Sequence, residues 1–343
     1  MNELLLVGSI PLETVAAVFE TFGRPLAPHL AALPDGEIGF RRHWISRVHF
    51  QVFAIHPDIE VIQQPRPDGG VERLIPHDVS DSWRFRVRGG VRAIRFGEPG
   101  WRLGFARDAV SSYALFSALK DKGVLPPQLR FQVSIPMVNS AAPPRIFAAE
   151  EDCRLVRAGY AEALSAELDK ILEHIPAREL AIQWDCSTEL QEAYRGALDA
   201  QVPQVSISRN IPQEAALGFH LCFGTLGGWP RFAPDDLGQA VALANAYIET
   251  AGRRVDWMHI PVLDRHDDAF YAPLAKLRPQ GARVYLGAVH NMERFSERLR
   301  TARKYLPEFG VAAYCGFGRM PSAEMPRVLQ EHIRAMELLL AVR

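Results

Sequence analysis

The sequence lacks several features that would place the protein outside the ordinary globular class. It has four cysteines in 343 residues, too few for a disulfide framework, and cysteines in a reducing compartment more often bind metal or take part in chemistry. No apolar run approaches the ~18 residues of a membrane span. The N-terminus has neither the basic segment nor the cleavage site of a signal peptide. We therefore predict a cytoplasmic protein without a membrane partner.

The sequence also lacks an excess of charge of either sign. The formal net charge is -1, so the composition predicts no nucleic-acid partner. Five arginines alternate with apolar residues in one stretch, and we expect them on the solvated face of a hairpin: Arg84, Arg86, Arg88, Arg92 and Arg95. Hydrophobic residues make up 48% and charged residues 23%, which is typical of a globular protein.

Apolar segments of strand length alternate along the chain with amphipathic segments of helix length. The predicted strands are 4–8, 30–37, 130–135, 180–185, 218–222, 255–260, 283–289 and 311–315. Near-continuous apolar strands that alternate with helices indicate a parallel sheet, and eight such units indicate a closed (β/α)8 TIM barrel. Such barrels often exceed ~250 residues as one unit. We therefore predict a single domain over residues 1–343.

One segment interrupts this alternation after the second strand–helix unit. Residues 59–105 contain several prolines and glycines between short alternating pieces, a composition typical of turns and hairpins. We predict a hairpin-containing excursion from the barrel, which would serve as a lid or as the contact of a homodimer.

Chemically active side chains fall at or just past the carboxyl ends of the predicted strands. They are Ser9, Glu37, Asp185, His220, Cys222, His259, His290 and Cys315. In α/β barrels the active site is built at this face. A random distribution would place about half of them at the other face, so the pattern predicts a functional site there.

A His-x-Cys pair is the first candidate for metal binding. In a strand, His220 and Cys222 point to the same side, and imidazole and thiolate together suit zinc. The pair alone is more typical of a buried cysteine beside a hydrogen-bonded histidine than of a metal site. Cys315 favours the metal, because it also ends a strand and precedes Gly316, where the backbone can turn sharply.

Five short motifs occur in an order that resembles one enzyme family. They are Val7-Gly8-Ser9-Ile10-Pro11 (family I-G-S-F-P), Asp35-Gly36-Glu37 with Arg41 (H/D-G-E…R), Ile182-Gln183-Trp184-Asp185 (I-Q-x-D-E-P), His220-Leu221-Cys222 (H-x-C) and Tyr314-Cys315-Gly316-Phe317 (D-C-G-F/L). The chain resembles the catalytic barrel of cobalamin-independent methionine synthase and its relatives, which include the coenzyme M alkyltransferases.

The resemblance implies a zinc ion held by His220, Cys222 and Cys315. It implies that Ser9 and Glu37 hold the amino-acid part of a thiol substrate and that Asp185 contacts the ammonium or the methyl donor. In the family, zinc binds the thiol as a thiolate, which attacks a methyl or alkyl carbon. Coordination to a divalent cation does ionise a thiol whose free pKa is ~8.5. The implied donor is a methylated folate or a corrinoid.

The sequence departs from the family at the fourth zinc ligand. The family supplies a glutamate on the strand after H-x-C, which falls near Pro261 here. His259 shares the inward phase of Pro261, and we expect it as the fourth ligand, as a side chain that supports a metal ligand from behind, or as a substrate-contacting side chain. His290 replaces a family aspartate and is a candidate for proton transfer, since the ordinary pKa of histidine is ~6.5.

The segment I-Q-x-D-E-P also departs from the family pattern, because it loses its last two residues to Cys186 and Ser187. Trp184 and Trp257 would make the substrate pocket more aromatic than homocysteine requires. The first functional hypothesis is therefore zinc-dependent methyl or alkyl transfer to homocysteine or a similar small thiol. A zinc-dependent lyase or hydrolase acting on a small, aromatic molecule is the second, and a barrel that binds a small molecule without turnover is the third.

Overall fold

A computed structural model describes residues 3–97 and 103–341. The strands, in chain order, are β1 (Leu4–Leu5), β2 (Ala32–Pro34), β3 (Ile59–Gln63), β4 (Arg84–Val87), β5 (Arg130–Pro136), β6 (Leu180–Cys186), β7 (Ala216–Leu221), β8 (Trp257–Pro261), β9 (Arg283–Gly287) and β10 (Gly310–Ala312). Eight of them form one parallel sheet in the order β1-β10-β9-β8-β7-β6-β5-β2.

The two ends of this sheet meet, which makes it a barrel. A parallel bridge joins Leu4 of β1 to Leu30, just ahead of β2. Helical segments connect the successive parallel strands, as crossover connections require. The predicted (β/α)8 TIM barrel is confirmed.

In the described part of the chain, eleven α-helices surround the strands. They are α1 (Val15–Val18), α2 (Arg24–Leu26), α3 (Ile45–Val48), α4 (Phe105–Asp121), α5 (Val138–Ala141), α6 (Glu150–His174), α7 (Thr188–Tyr194), α8 (Gly238–Thr250), α9 (Asp268–Tyr271), α10 (Phe295–Arg303) and α11 (Met325–Ala341). Within the described ranges, no helix combines the length and the apolar character that a bilayer crossing demands.

The interior of the barrel is closed at the amino ends of its strands. A small cluster of buried side chains fills this floor: Leu5, Val7, Ala32, Ala181, Ala216, Trp257, Tyr285 and Ala312. Trp257 lies flat against Gly218, where a Cβ would come within 1.8 Å of the indole ring. Because the floor is packed, the open end of the barrel is the end where the strands finish.

The excursion contains the predicted hairpin. β3 and β4 pair antiparallel, and β4 alternates between exposed arginines and the buried Phe85 and Val87, which confirms the solvated face. The hairpin is fixed to the barrel, because the carbonyl of Phe85 accepts a hydrogen bond from the backbone N–H of Ala148 at 2.9 Å. Phe85 also packs against Phe53 at a ring distance of 5.8 Å.

Candidate metal centre and substrate cleft

A cleft of about 800 Å³ opens at the carboxyl ends of the strands. Six of the residues singled out in the sequence line it: Ser9, Glu37, Asp185, His220, Cys222 and Cys315. The excursion contributes Pro76 and Ser82 to the same wall, so it covers one side of the site. Trp44 also lines the cleft, with an uncommon positive φ of 49°.

His220, Cys222 and Cys315 form the one close group of potential metal ligands in the described part of the chain, with ligand atoms all within 4.8 Å of one another. His220 lies in β7 and Cys222 directly after it, so both face the cleft. The intervening Leu221 is fully buried. Cys315 lies in the loop after β10, where a side chain at Gly316 would approach the backbone nitrogen of Ser9 at 2.9 Å.

The donor set fits zinc. The two sulfurs are 3.3 Å apart, close to the ~3.8 Å expected for two thiolates that each lie ~2.3 Å from a tetrahedral zinc. A hydrogen bond between the thiols lowers the pKa of Cys222 and raises that of Cys315, because the first sulfur to ionise is stabilised by the proton on the second. Burial holds the pKa of His220 well below its usual value, which keeps the imidazole in the neutral form that binds metal.

His259 lies behind His220 and outside the close group of ligand atoms. Its Nε2 lies 2.9 Å from the carbonyl oxygen of Ala313, so this nitrogen carries the hydrogen. Its Nδ1 lies 2.8 Å from Nδ1 of His220 and is positioned to accept from it. Both nitrogens of His259 are therefore engaged, and Nε2 of His220 is left for a metal.

The carboxylates line the same cleft. The hydroxyl of Ser9 donates to Oε2 of Glu37, and Nε2 of Gln183 donates to Oδ1 of Asp185 at 2.9 Å. Burial raises the pKa of Glu37 to about 7, against a smaller lowering by the Ser9 hydrogen bond. Burial also raises the pKa of Asp185, and the charge of Glu37 raises it further. Such a pair of acidic side chains suits a cationic group such as an ammonium.

Glu37 is held by a tight turn in the loop after β2. Its backbone has a φ of 48° and follows Gly36 with a φ of 80°; a side chain at Gly36 would meet Val18 at 2.6 Å. The backbone N–H of Glu37 donates to Oδ1 of Asp35 at 2.8 Å, and Arg41 donates to the other oxygen of Asp35 at 2.7 Å. The Asp-Gly-Glu motif and its arginine therefore build the turn that aims Glu37 at the cleft.

Three other predicted site residues also lie outside the cleft wall. Trp184 alternates with Asp185 along β6, so it faces outward, where its indole N–H donates to Ser208 at 3.0 Å. Trp257 belongs to the packed floor of the barrel. His290 follows β9 and lies 2.9 Å from the carbonyl of Val262.

Four arginines that no sequence motif singled out also line the cleft: Arg42, Arg145, Arg231 and Arg319. They come from separate loops, far apart in sequence, and no local motif surrounds them. Only the fold brings them together.

Comparisons with known proteins support the fold of the chain. No protein-family model matches the sequence, and no curated protein matches it. Among solved structures, the chain is similar to a B12-independent methionine synthase from Shewanella sp. W3-18-1, solved in complex with selenomethionine. The TM-score is 0.65, the identity is 12%, and the match covers 99% of this chain and 98% of the other. At this identity the likeness is one of fold.

Proposed function

We propose that the protein is a zinc-dependent transferase that moves a methyl or other alkyl group to the sulfur of a small thiol. The observation that carries the proposal is the shared cleft. His220, Cys222 and Cys315 converge within 4.8 Å, and Ser9, Glu37 and Asp185 line the same wall. A metal group next to a site for an ammonium suits an amino-acid thiol such as homocysteine.

The chain's own residues divide the work in this proposal. His220, Cys222 and Cys315 would hold the zinc, with His259 fixing the orientation of the His220 ring from behind. When bound, zinc lowers the pKa of a coordinated thiol and so makes the sulfur a better nucleophile at neutral pH. Glu37, in its ionised form, would pair with the ammonium, while Ser9 orients the carboxylate of Glu37.

The donor is a methylated folate, a corrinoid-bound methyl group or a methylated small molecule. The donor would enter the same cleft, which opens at the carboxyl ends of the strands. We propose a donor site in the part of the cleft bordered by the excursion, since Pro76 and Ser82 lie in its wall.

One observation favours a second candidate function, a zinc-dependent lyase or hydrolase. The three-residue ligand group includes no carboxylate, and a site with three protein ligands leaves a position for water. Glu37, whose pKa is about 7, would then act as a general base near neutral pH.

Metal content tests the ligand assignment. We expect about one zinc per chain in purified protein by mass spectrometry of the metal, and a loss of the metal in Cys222→Ser and in Cys315→Ser. Cys153→Ser is the matched control, because Cys153 is buried in α6 and donates to the carbonyl of Ala142. Wild-type protein that stays free of zinc at neutral pH, even after incubation with zinc, would refute both candidate functions.

X-ray absorption at the zinc edge separates the two functions. Homocysteine should add a sulfur neighbour to the zinc, whereas homoserine, which has oxygen in place of sulfur, should not. A spectrum unchanged by homocysteine and by other small thiols would reject alkyl transfer to a thiol and leave the lyase or hydrolase.

A further inference from the structure

The charges that line the cleft are unbalanced. Four arginines, Arg42, Arg145, Arg231 and Arg319, share its wall with two carboxylates, Glu37 and Asp185. Across residues 3–97 and 103–341, none of these arginines forms an ion pair with a carboxylate. Arg42 contacts His43, which leaves three arginines to be explained.

The three arginines lie close enough to repel one another. Burial lowers the pKa of Arg145 to about 10, and the positive charge of Arg231 lowers it further. Burial likewise lowers the pKa of Arg231, and the charge of Arg319 contributes. The charge of Arg231 thus acts on Arg145, and the charge of Arg319 acts on Arg231. A group of like charges in a cleft costs free energy that a bound anion would recover.

Their hydrogen-bonding capacity is also unfilled. The Nε atoms of Arg145 and Arg231 are buried without a hydrogen-bond partner among the described residues. Arg231 donates from Nη2 to the amide oxygen of Gln191 at 2.6 Å, and Arg319 donates from Nη1 to the hydroxyl of Thr225 at 2.7 Å. Both partners are neutral. A buried donor without a partner is costly, and no carboxylate in the described part of the chain forms an ion pair that would offset the charge of either guanidinium.

The loop that carries Arg231 also carries a metal ligand. The backbone N–H of Gly224 donates to Sγ of Cys222 at 3.2 Å, and the Arg231 side chain packs on Gly224, where a Cβ would lie 2.9 Å from Nε. Among neighbouring acidic groups, Cys222 raises the pKa of Arg231 most and Glu192 less. A divalent cation held by two thiolates cancels their charge, so the arginines would remain uncompensated in the metal-loaded protein.

We propose that Arg145, Arg231 and Arg319 form an oxyanion subsite beside the metal group, and that it binds a carboxylate or phosphate of a reactant. The planar guanidinium group presents paired N–H donors that match the oxygens of both anions. The substrates are accordingly small acids. The inference rests on the proposed function only in naming the bound molecule as a reactant, because anion binding itself requires no turnover.

The test is calorimetric titration of the zinc-loaded protein with two probes, succinate and inorganic phosphate. We expect saturable binding of at least one probe, and the stronger of the two identifies the anion. Arg145→Gln and Arg319→Gln should each weaken that binding by ~10- to 100-fold, the range for one charged hydrogen-bonding partner. Arg145→Lys should restore part of the loss, since it keeps the charge without the paired donors.

Arg195→Gln is the matched control. Arg195 lies near the cluster and influences the pKa of both Arg145 and Arg231, but it pairs with Glu192 at 3.0 Å and is absent from the cleft wall. Its substitution should leave binding within about twofold of wild type. Thermal unfolding of each variant verifies that it folds.

Three outcomes would overturn the subsite. The first is that folded wild type binds neither probe. The second is that zinc-loaded protein binds a probe and that Arg145→Gln and Arg319→Gln leave the affinity unchanged. The third is that Arg195→Gln loses as much affinity as these two variants. The second outcome would mean that the anion binds the zinc itself. Repeating the titration with Cys222→Ser, which should lose the metal, separates the two proposals: the subsite predicts retained binding there, whatever the fate of the alkyl-transfer hypothesis.

Discussion

The raised pKa of Glu37 has a consequence for the stability of the protein. Its pKa rises from 4.5 to about 7 in the folded protein, chiefly through burial. Folding therefore favours the neutral form of the Glu37 carboxyl. The resulting contribution of Glu37 to the free energy of unfolding is complete below pH ~4.5 and is lost as the pH rises to ~7. A tenfold change in an ionisation constant corresponds to ~1.4 kcal/mol, so the full loss is about 3 kcal/mol.

Glu37→Gln removes this titration while it keeps the size and most of the polarity of the side chain. Between pH 5 and pH 8, the free energy of unfolding should fall by about 2.5 kcal/mol more in wild type than in the variant. The variant also relieves Asp185, whose pKa the charge of Glu37 raises, and this acts in the same direction. Urea unfolding of the metal-free proteins at several pH values measures the difference.

Glu13→Gln supplies the control, since Glu13 is exposed at the surface and its substitution makes the same change in net charge. Its pH dependence should run parallel to that of wild type. If the Glu37→Gln curve is also parallel to wild type, Glu37 has an ordinary pKa in the folded protein. The cleft would then not hold its carboxylates in a partly neutral form before a cation binds.

Two further predictions concern predicted site residues that lie outside the cleft wall. His259→Ala should lower zinc affinity by ~10- to 100-fold without abolishing metal binding, which is the usual effect of removing a partner that orients a ligand. Competition with a chelator measures the zinc affinity. Complete loss of the metal, as in Cys222→Ser, would return His259 to the ligand set. Trp184→Phe should leave homocysteine binding by zinc-loaded protein unchanged. The lost hydrogen bond to Ser208 should lower the free energy of unfolding by about 1 kcal/mol. Weaker homocysteine binding would contradict the outward position of Trp184.

The barrel could be predicted from the sequence because its signal is the alternation of apolar strands and helices. The two longest strands, β5 and β6, lie within one residue of their predicted ends. The first and last strands are shorter than predicted, at Leu4–Leu5 and Gly310–Ala312. There the chain leaves the sheet early, and the residues beyond it, including Ser9 and Cys315, form the cleft wall instead.

The ligand group could be predicted because the period of a strand fixes the side to which a residue points. The same rule excludes Trp184 from the cleft, since it adjoins the inward-facing Asp185. The rule does not say how far along the barrel axis a side chain reaches. Trp257 and His259 share the inward phase of β8, yet Trp257 lies in the floor and His259 one hydrogen bond behind His220.

The arginines had no sequence signal because each occupies a different loop, and their proximity depends on the whole fold. This difference also explains why the metal is better constrained than the reaction. Three ligand atoms must converge within a few ångströms, and two short segments of strand end suffice to place them. A substrate cleft is assembled from many loops, and each loop can change its side chains while the barrel is preserved. The charges around the cleft, acidic at Glu37 after β2 and at Asp185 in β6 and basic at Arg145 and Arg231, therefore carry the information about the substrate that the metal group lacks.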